Sequence, residues 1–242
     1  MIYLMPFLLG TIARQNAFGD FYQMVPDPSE RLYFPASQID FDGFVEGSRD
    51  YLFVTSPPMG NMNLSLYTTK STLAGAGFGY QIKAIGTGIN VMYDGIQTIY
   101  TAGLSYENRK VRIDASFYIK DTAKAILRVR WNAMEQGSVN LLAGNIDNPI
   151  IALSIAYEPT SLTFLHMGIG YLKDQAYLFS LVEFPVLRNF VFLRGSFQQG
   201  LRTMDRKINF GASLRIDNLS VDYLMDATAG SRIDLQYRFR IF

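Results

Sequence analysis

The chain has 242 residues, of which 49% are apolar and 18% charged, with a net charge of +1 and no cysteine. That length suits one barrel or one to two ordinary domains, and the apolar fraction is far too low for a bundle of membrane helices. The near-zero net charge argues against nucleic acid as the main partner, because phosphate binding needs a clustered excess of Lys and Arg, and disulfides, thiolate metal ligands and Cys nucleophiles are excluded outright.

Residues 2–9, IYLMPFLL, form an apolar run followed by Gly10, Thr11, Ile12 and Ala13. This resembles the apolar region and small-residue cleavage zone of a signal peptide, although no positive region precedes it. Residues 1–17 are therefore expected to direct export, and a cysteine-free chain suits passage through an oxidising periplasm. Residues 18–50 hold Pro26, Pro28 and Pro35 among five Asp and two Glu, with no sustained period. Proline blocks ladder hydrogen bonds, so this stretch is predicted to be irregular or to carry one short helix.

From Leu52 onward apolar and polar residues alternate. The predicted strands are 52–57, 61–68, 74–85, 88–94, 98–107, 110–120, 124–132, 138–146, 150–158, 162–172, 176–184, 188–198, 206–216, 218–226 and 231–241. Single-chain bacterial barrels have even strand numbers, so about fourteen are expected, with 52–57 the weakest member. Glu107-Asn108, Asn145 to Asn148, Glu158 to Ser161, Lys173-Asp174 and Asp217-Asn218 read as short hairpin turns, which makes neighbours antiparallel and the whole an up-and-down meander. Gln198 to Asp205 is the longest late connection, and both rims should be low. Ala123, Leu127, Trp131 and Met134 also stand at helical spacing, but Ala125, Leu127, Val129 and Trp131 alternate cleanly against Ile126, Arg128 and Arg130, which favours a strand. In Ile150 to Ile155 both faces are apolar.

Alternation gives each strand one apolar and one polar wall. A soluble sandwich alternates too, but strands of nine to eleven residues rich in Tyr and Phe are what a tilted membrane strand requires. The predicted fold is an all-β transmembrane antiparallel barrel over 51–242 in the bacterial outer membrane, with the lipid bilayer as its surroundings. Fourteen tilted strands close into a ring roughly 28 Å across, too wide for side chains alone to fill. The polar faces place Arg112, Asp114, Tyr118, Arg128, Arg130, His166, Asn209, Arg215 and Arg238 toward the lumen, with Glu183, Asp222, Asp234, Gln236 and Arg240. Residues 18–50 are the segment available as a plug.

Within that segment Gly19, then Asp27-Pro28-Ser29, then Leu32-Tyr33-Phe34-Pro35-Ala36-Ser37 resembles the N-terminal signature of FadL-like outer-membrane proteins, including the PorV type. The resemblance covers about twenty residues. Phe34 and Ser37 depart from the Asn and Gly of that family's box, Glu30-Arg31 replace small apolar residues, and the chain is short for the family. It implies fourteen strands and an N-terminal hatch, carried here by Gly19, Asp27, Pro28, Ser29, Tyr33, Pro35 and Ala36. Passage of small hydrophobic or amphipathic molecules is implied as well, the alternatives being a PorV-like barrel that binds partner proteins or an open general porin. Gly75, Gly77 and Gly79 are compatible with a hatch packed closely on the wall. Tyr237, Phe239, Ile241 and Phe242 look like the terminal-strand signal read by the barrel-assembly machinery.

Enzymatic chemistry is not expected. The single histidine, His166, has Ser180 and Glu183 as candidate partners, but these fall on opposite faces of one strand. No His cluster offers a metal site, and Asp40, Asp42 and Gly43 mimic a calcium loop only with Gln38 and Arg49 where ligands should be. No glycine loop supports nucleotide binding, so no cofactor is expected.

Overall fold

The computed structural model describes residues 21, 24, 34–36, 43–47, 51–69, 74–119, 122–145, 149–160, 163–187, 190–216, 219–226 and 230–239. Sixteen strands run in chain order: β1 (Gly43–Gly47), β2 (Tyr51–Thr55), β3 (Met62–Thr69), β4 (Ala74–Ile82), β5 (Ile85–Tyr93), β6 (Thr98–Glu107), β7 (Val111–Ile119) and β8 (Ala123–Met134). They continue as β9 (Gly137–Asn145), β10 (Pro149–Thr160), β11 (Thr163–Leu172), β12 (Gln175–Leu187), β13 (Val191–Gly200), β14 (Arg206–Ile216), β15 (Leu219–Asp226) and β16 (Gly230–Phe239). Fifteen of them, β2 to β16, form an unbroken antiparallel meander, and the short β1 pairs with β16 on one side and β2 on the other, closing the ring.

Among the described residues the count is sixteen, not fourteen. Residues 52–57, the weakest predicted member, are wall: β2 turns Tyr51, Phe53 and Thr55 inward and Leu52 outward, and apolar residues on both faces hid its period. The wall also begins at Gly43 and not at residue 51, because β1 lies inside the stretch assigned to the plug. Five residues, GFVEG, are too few to display a period. The strand predicted over 74–85 ends at Ile82 and turns at Lys83, whose φ is 54°. Residues 123–134 are strand, so alternation outweighs helical spacing there.

Turn chemistry fits the short hairpins. Lys173 and Asp174 both take positive φ, 51° and 61°, the left-handed pair that a two-residue hairpin requires to match strand twist. Asn108 Oδ1 accepts from the backbone N–H of Lys110 and of Val111, each at 2.8 Å, and Asp94 does the same for Ile96 and Gln97. Pro185 falls beside an irregularity in the β12–β13 register, where a missing donor is tolerated.

Exposure runs opposite to that of a soluble sandwich. Along β10, Ile151, Leu153, Ile155 and Tyr157 are exposed while Ala152, Ser154 and Ala156 are buried. The same inversion puts Leu165, Met167 and Ile169 outside and His166 inside on β11. Outward-facing Tyr106, Trp131 and Tyr157 stand near one rim, and Tyr93, Tyr100 and Tyr171 near the other, as aromatic girdles do at the two membrane interfaces. An apolar exterior on a closed ring is what hydrocarbon demands, since closure leaves no sheet edge to be satisfied by lipid. Ile155, 63% exposed near the middle of β10, gives a direct check. An Ile155→Lys variant should lose about 2–4 kcal/mol of stability in lipid bilayers, measured as the shift in denaturant midpoint, whereas the same change at a rim should cost little.

Candidate functional site

The inner face is the candidate site, and its two ends differ. One rim, here the terminal rim, carries the chain into β1 and out of β16 and includes the β2–β3, β4–β5 and β6–β7 turns; the opposite rim includes the β1–β2, β3–β4 and β5–β6 turns. Toward the opposite rim the inward side chains are apolar. Tyr51 and Phe53 of β2, Tyr67 of β3, Met92 of β5, Ile99 of β6, Tyr118 of β7, Ile126 of β8, Leu142 of β9, and Phe179 and Leu181 of β12 form one buried cluster. That explains the two-sided apolarity of Ile150 to Ile155: Ile150 and Ala152 join this inner cluster while Ile151, Leu153 and Ile155 face out.

Toward the terminal rim the wall is charged, in three networks. Asp114 on β7 accepts from Arg128 on β8 at 2.7 Å and from Arg112 at 3.1 Å, and Arg112 reaches Glu107 at 3.3 Å. Arg130 on β8 pairs with Glu158 on β10 at 2.7 Å, and Glu158 Oε1 stands 3.7 Å from Nε2 of His166 on β11. Arg194 on β13 forms an ion pair with Glu183 on β12 at 3.0 Å, donates to Asp222 on β15 at 2.9 Å, and also bonds Ser213. Arg215 on β14 adds a contact to Glu183 at 3.3 Å and lies 3.8 Å over the Phe192 ring. Buried charges need such partners, since desolvation of an unpaired one costs several kcal/mol.

Of the residues assigned to the lumen from sequence, Asp114, Tyr118, Arg128, His166 and Asn209 are buried, and Arg112, Arg130 and Arg215 are partly buried. Arg238 lies in β16, opposite Phe44 of β1. Ser180 occupies the outer row between Met167 and Phe197, while Glu183 is inward, so the two do not converge on His166. Asn209 Nδ2 donates to Ser196 Oγ at 3.2 Å. Sequence reasoning passes over Arg194, Glu107 and Glu158. Glu107 and Glu158 read as turn residues, and Arg194 is masked by the aromatic Phe192 sharing its inner row; the signal that exposes Arg194 is its place in strict alternation with Leu193 and Gly195.

The described residues that precede β1 are all buried on this inner wall. Phe21 stacks on Phe179, with ring centroids 4.2 Å apart, and meets Tyr177 edge-on. Phe21, Met24 and Phe34 belong to the inner apolar cluster, and the Arg128 guanidinium lies 4.5 Å over the Phe34 ring, where the apolar and charged halves join. Pro35 and Ala36 rest on glycines: a Cβ on Gly88 would stand 2.1 Å from the Pro35 carbonyl oxygen, and one on Gly86 or Gly103 would stand 3.0 Å from Ala36 or Pro35. The glycines beneath Pro35 are thus on β5 and β6; Gly79 neighbours them in register, and Gly75 instead accommodates the Tyr67 ring. Gly19, Asp27, Pro28, Ser29, Tyr33, Asp40 and Asp42, like residues 1–17, Ile241 and Phe242, lie outside the described residues. Gly43 opens β1. Among the described residues no group of three or more acidic, His or Cys side chains is placed to hold a metal.

No protein-family model matches the sequence, and no curated protein matches it. The fold does have solved counterparts. A variant of the Rh. blastica porin carrying five substitutions superposes with a TM-score of 0.56 at 9% identity, covering 82% of this chain and 99% of that one. A second variant of the same porin gives 0.56 at 8% identity with the same coverage. The Acinetobacter baumannii outer membrane protein Omp33 gives 0.45 at 10% identity, covering 82% of this chain and 98% of its own. The class is therefore an antiparallel β-barrel with the fold of bacterial porins. With that fold and an apolar exterior, its place is the outer membrane.

Proposed function

We propose that the protein is an outer-membrane channel whose bore is closed by the segment preceding β1, and that it passes small hydrophobic or amphipathic molecules when that segment moves. One observation carries this reading. Sixteen strands about 4.8 Å apart and tilted near 40° make a ring about 32 Å across, and side chains alone do not fill such a bore. Yet Thr55, Asn63, Ser116, His166 and Leu142, on five strands around the inner wall, are each 0% exposed. The described residues ahead of β1 are themselves buried against that wall, with Pro35 seated on Gly88. The division of the inner face into an apolar and a charged half suits a molecule with unlike ends.

The FadL-like resemblance favours the same reading at Phe34-Pro35-Ala36, while sixteen strands depart from its fourteen. An open porin is the second reading, favoured by the likeness of the fold to the Rh. blastica porin. A PorV-like role in binding partner proteins has less support, because the connections at both rims are short. Assembly through the β16 end by the barrel-assembly machinery is compatible with every one of these readings. Planar bilayers separate the first two. The full chain, verified as folded by heat-dependent gel mobility, should be silent or flicker briefly; a large steady current would establish the open porin instead.

A further inference from the structure

The lipid-facing wall does not end alike all round the opposite rim. Among the described residues, the outward rows of β5, β6 and β8 finish there in Tyr93, Thr98 and Ala123, without charge. On β14 the outward row of Phe210 and Ile208 runs on to Arg206, which is exposed and lies opposite Gln199, the end of the outward row of β13. A guanidinium at the end of a lipid-facing row leaves hydrocarbon by reaching the head-group layer, with its methylenes along the apolar wall. Two neighbouring turns bring further bases to this arc. Lys173 stands in the β11–β12 turn and Arg202 in the β13–β14 turn, both exposed. The turns are fastened together: Gln175 Nε2 donates to Asp205 Oδ1 at 2.8 Å, Thr203 Oγ1 to Gln175 Oε1 at 2.9 Å, and the Leu201 N–H to the Ala176 carbonyl at 2.8 Å. Gly200 permits this closeness, because a Cβ there would collide with the Gln175 amide.

The acids of these turns are engaged, whereas the bases are not. Asp205 is held by the buried, inward-row Gln175, and Asp174 Oδ1 accepts from the Tyr171 hydroxyl at 3.4 Å. Among the described residues none forms an ion pair with Lys173, Arg202 or Arg206. Beside them the β13–β14 turn presents Leu201 and Met204, 49% and 65% exposed. We propose that this arc binds the phosphate-bearing head group of an anionic membrane lipid, with the acyl chains along Leu201, Met204 and the apolar rows that continue from them. Unpaired bases call for an anion, and exposed apolar side chains next to them call for hydrocarbon, so one molecule that carries both answers both. An inorganic anion answers the bases alone, and a zwitterionic lipid brings a second cation against them. The fastened turns hold the bases ready, which lowers the cost of ordering them on binding. The site goes beyond the passage of amphipathic molecules and is independent of how the bore is closed.

The full chain, folded in a nonionic detergent, is titrated with phosphatidylglycerol and, separately, with phosphatidylcholine of the same acyl chains, and the lipids retained on the intact barrel are counted by native mass spectrometry. Saturable retention of phosphatidylglycerol above phosphatidylcholine is expected. A Lys173→Gln/Arg206→Gln double variant, verified as folded by heat-dependent gel mobility, should bind it about thirtyfold more weakly, roughly fivefold for each base removed. A Lys83→Gln/Lys110→Gln variant makes the same change of net charge on exposed turns of the terminal rim and should bind like the parent. Equal retention of the two lipids overturns the proposal, and so does an equal loss in both double variants, which would mean that overall charge attracts the lipid. Displacement of phosphatidylglycerol by equimolar inorganic phosphate also overturns it, since the arc would then be a site for a free anion. None of these readings depends on conductance, so failure here leaves the closed bore untouched, and a steadily conducting parent leaves this site untouched.

Discussion

A Gly88→Leu variant is expected to conduct steadily where the parent chain is silent. The reason is that the neighbour is backbone. A Cβ at position 88 would lie 2.1 Å from the Pro35 carbonyl oxygen, 2.4 Å from its carbon and 2.8 Å from the Ala36 nitrogen, and no rotamer change relieves that. Forcing bulk into such a contact costs about 1–3 kcal/mol, enough to move a segment seated on glycine but not to open a sixteen-strand ladder. Gly170→Leu should act more weakly, because its Cβ meets the rim of the Phe21 ring, which can swing. Gly195→Ala is the control: it faces outward, and its nearest neighbours allow a methyl at 3.3 Å or more. Planar-bilayer current measured on all three, each verified as folded, tests the idea. A silent Gly88→Leu barrel would mean that Pro35 and Ala36 do not close the bore.

The same contacts show what was legible in the sequence. Strict alternation over residues 111–119 and 206–216 sufficed to place Asp114 and Asn209 opposite Ile113 and Phe210, because a period of two is a property of the strand itself. Alternation failed where the inner wall is apolar. Tyr51 and Phe53 on β2, and Ile150 and Ala152 on β10, face a lumen cluster instead of water, so their polar face vanished from the pattern. Charge partners were hidden for another reason. Arg130 and Glu158 are 28 residues apart with β9 between them, and whether they meet depends on the stagger of three strands, which no local spacing encodes. The glycines under Pro35 were expected on β4 and lie one and two strands further on; a small residue announces a close approach but not the strand that makes it.

Removing Arg194 is expected to be the most destabilising single change on the inner wall. Its side chain is 0% exposed and is held by Glu183 at 3.0 Å, Asp222 at 2.9 Å and Ser213. In an Arg194→Met chain the two acids fare differently. Glu183 keeps Arg215 at 3.3 Å, whereas Asp222 loses the guanidinium at 2.9 Å and keeps its bond with Ser213. Truncating one member of a buried ion pair costs about 3–5 kcal/mol, because the carboxylate left behind has lost both water and its counter-charge. The loss should appear as an earlier denaturant midpoint for the gel-mobility shift in lipid vesicles. Adding Asp222→Asn should then recover a large part of it, since an amide needs no counter-charge and can still bond Ser213. A loss below about 1 kcal/mol would place Arg194 with exposed pairs, which contribute that little, and would show water reaching this part of the wall. Equal losses in the single and double variants would assign the cost to packing, with the charge of Asp222 playing no part.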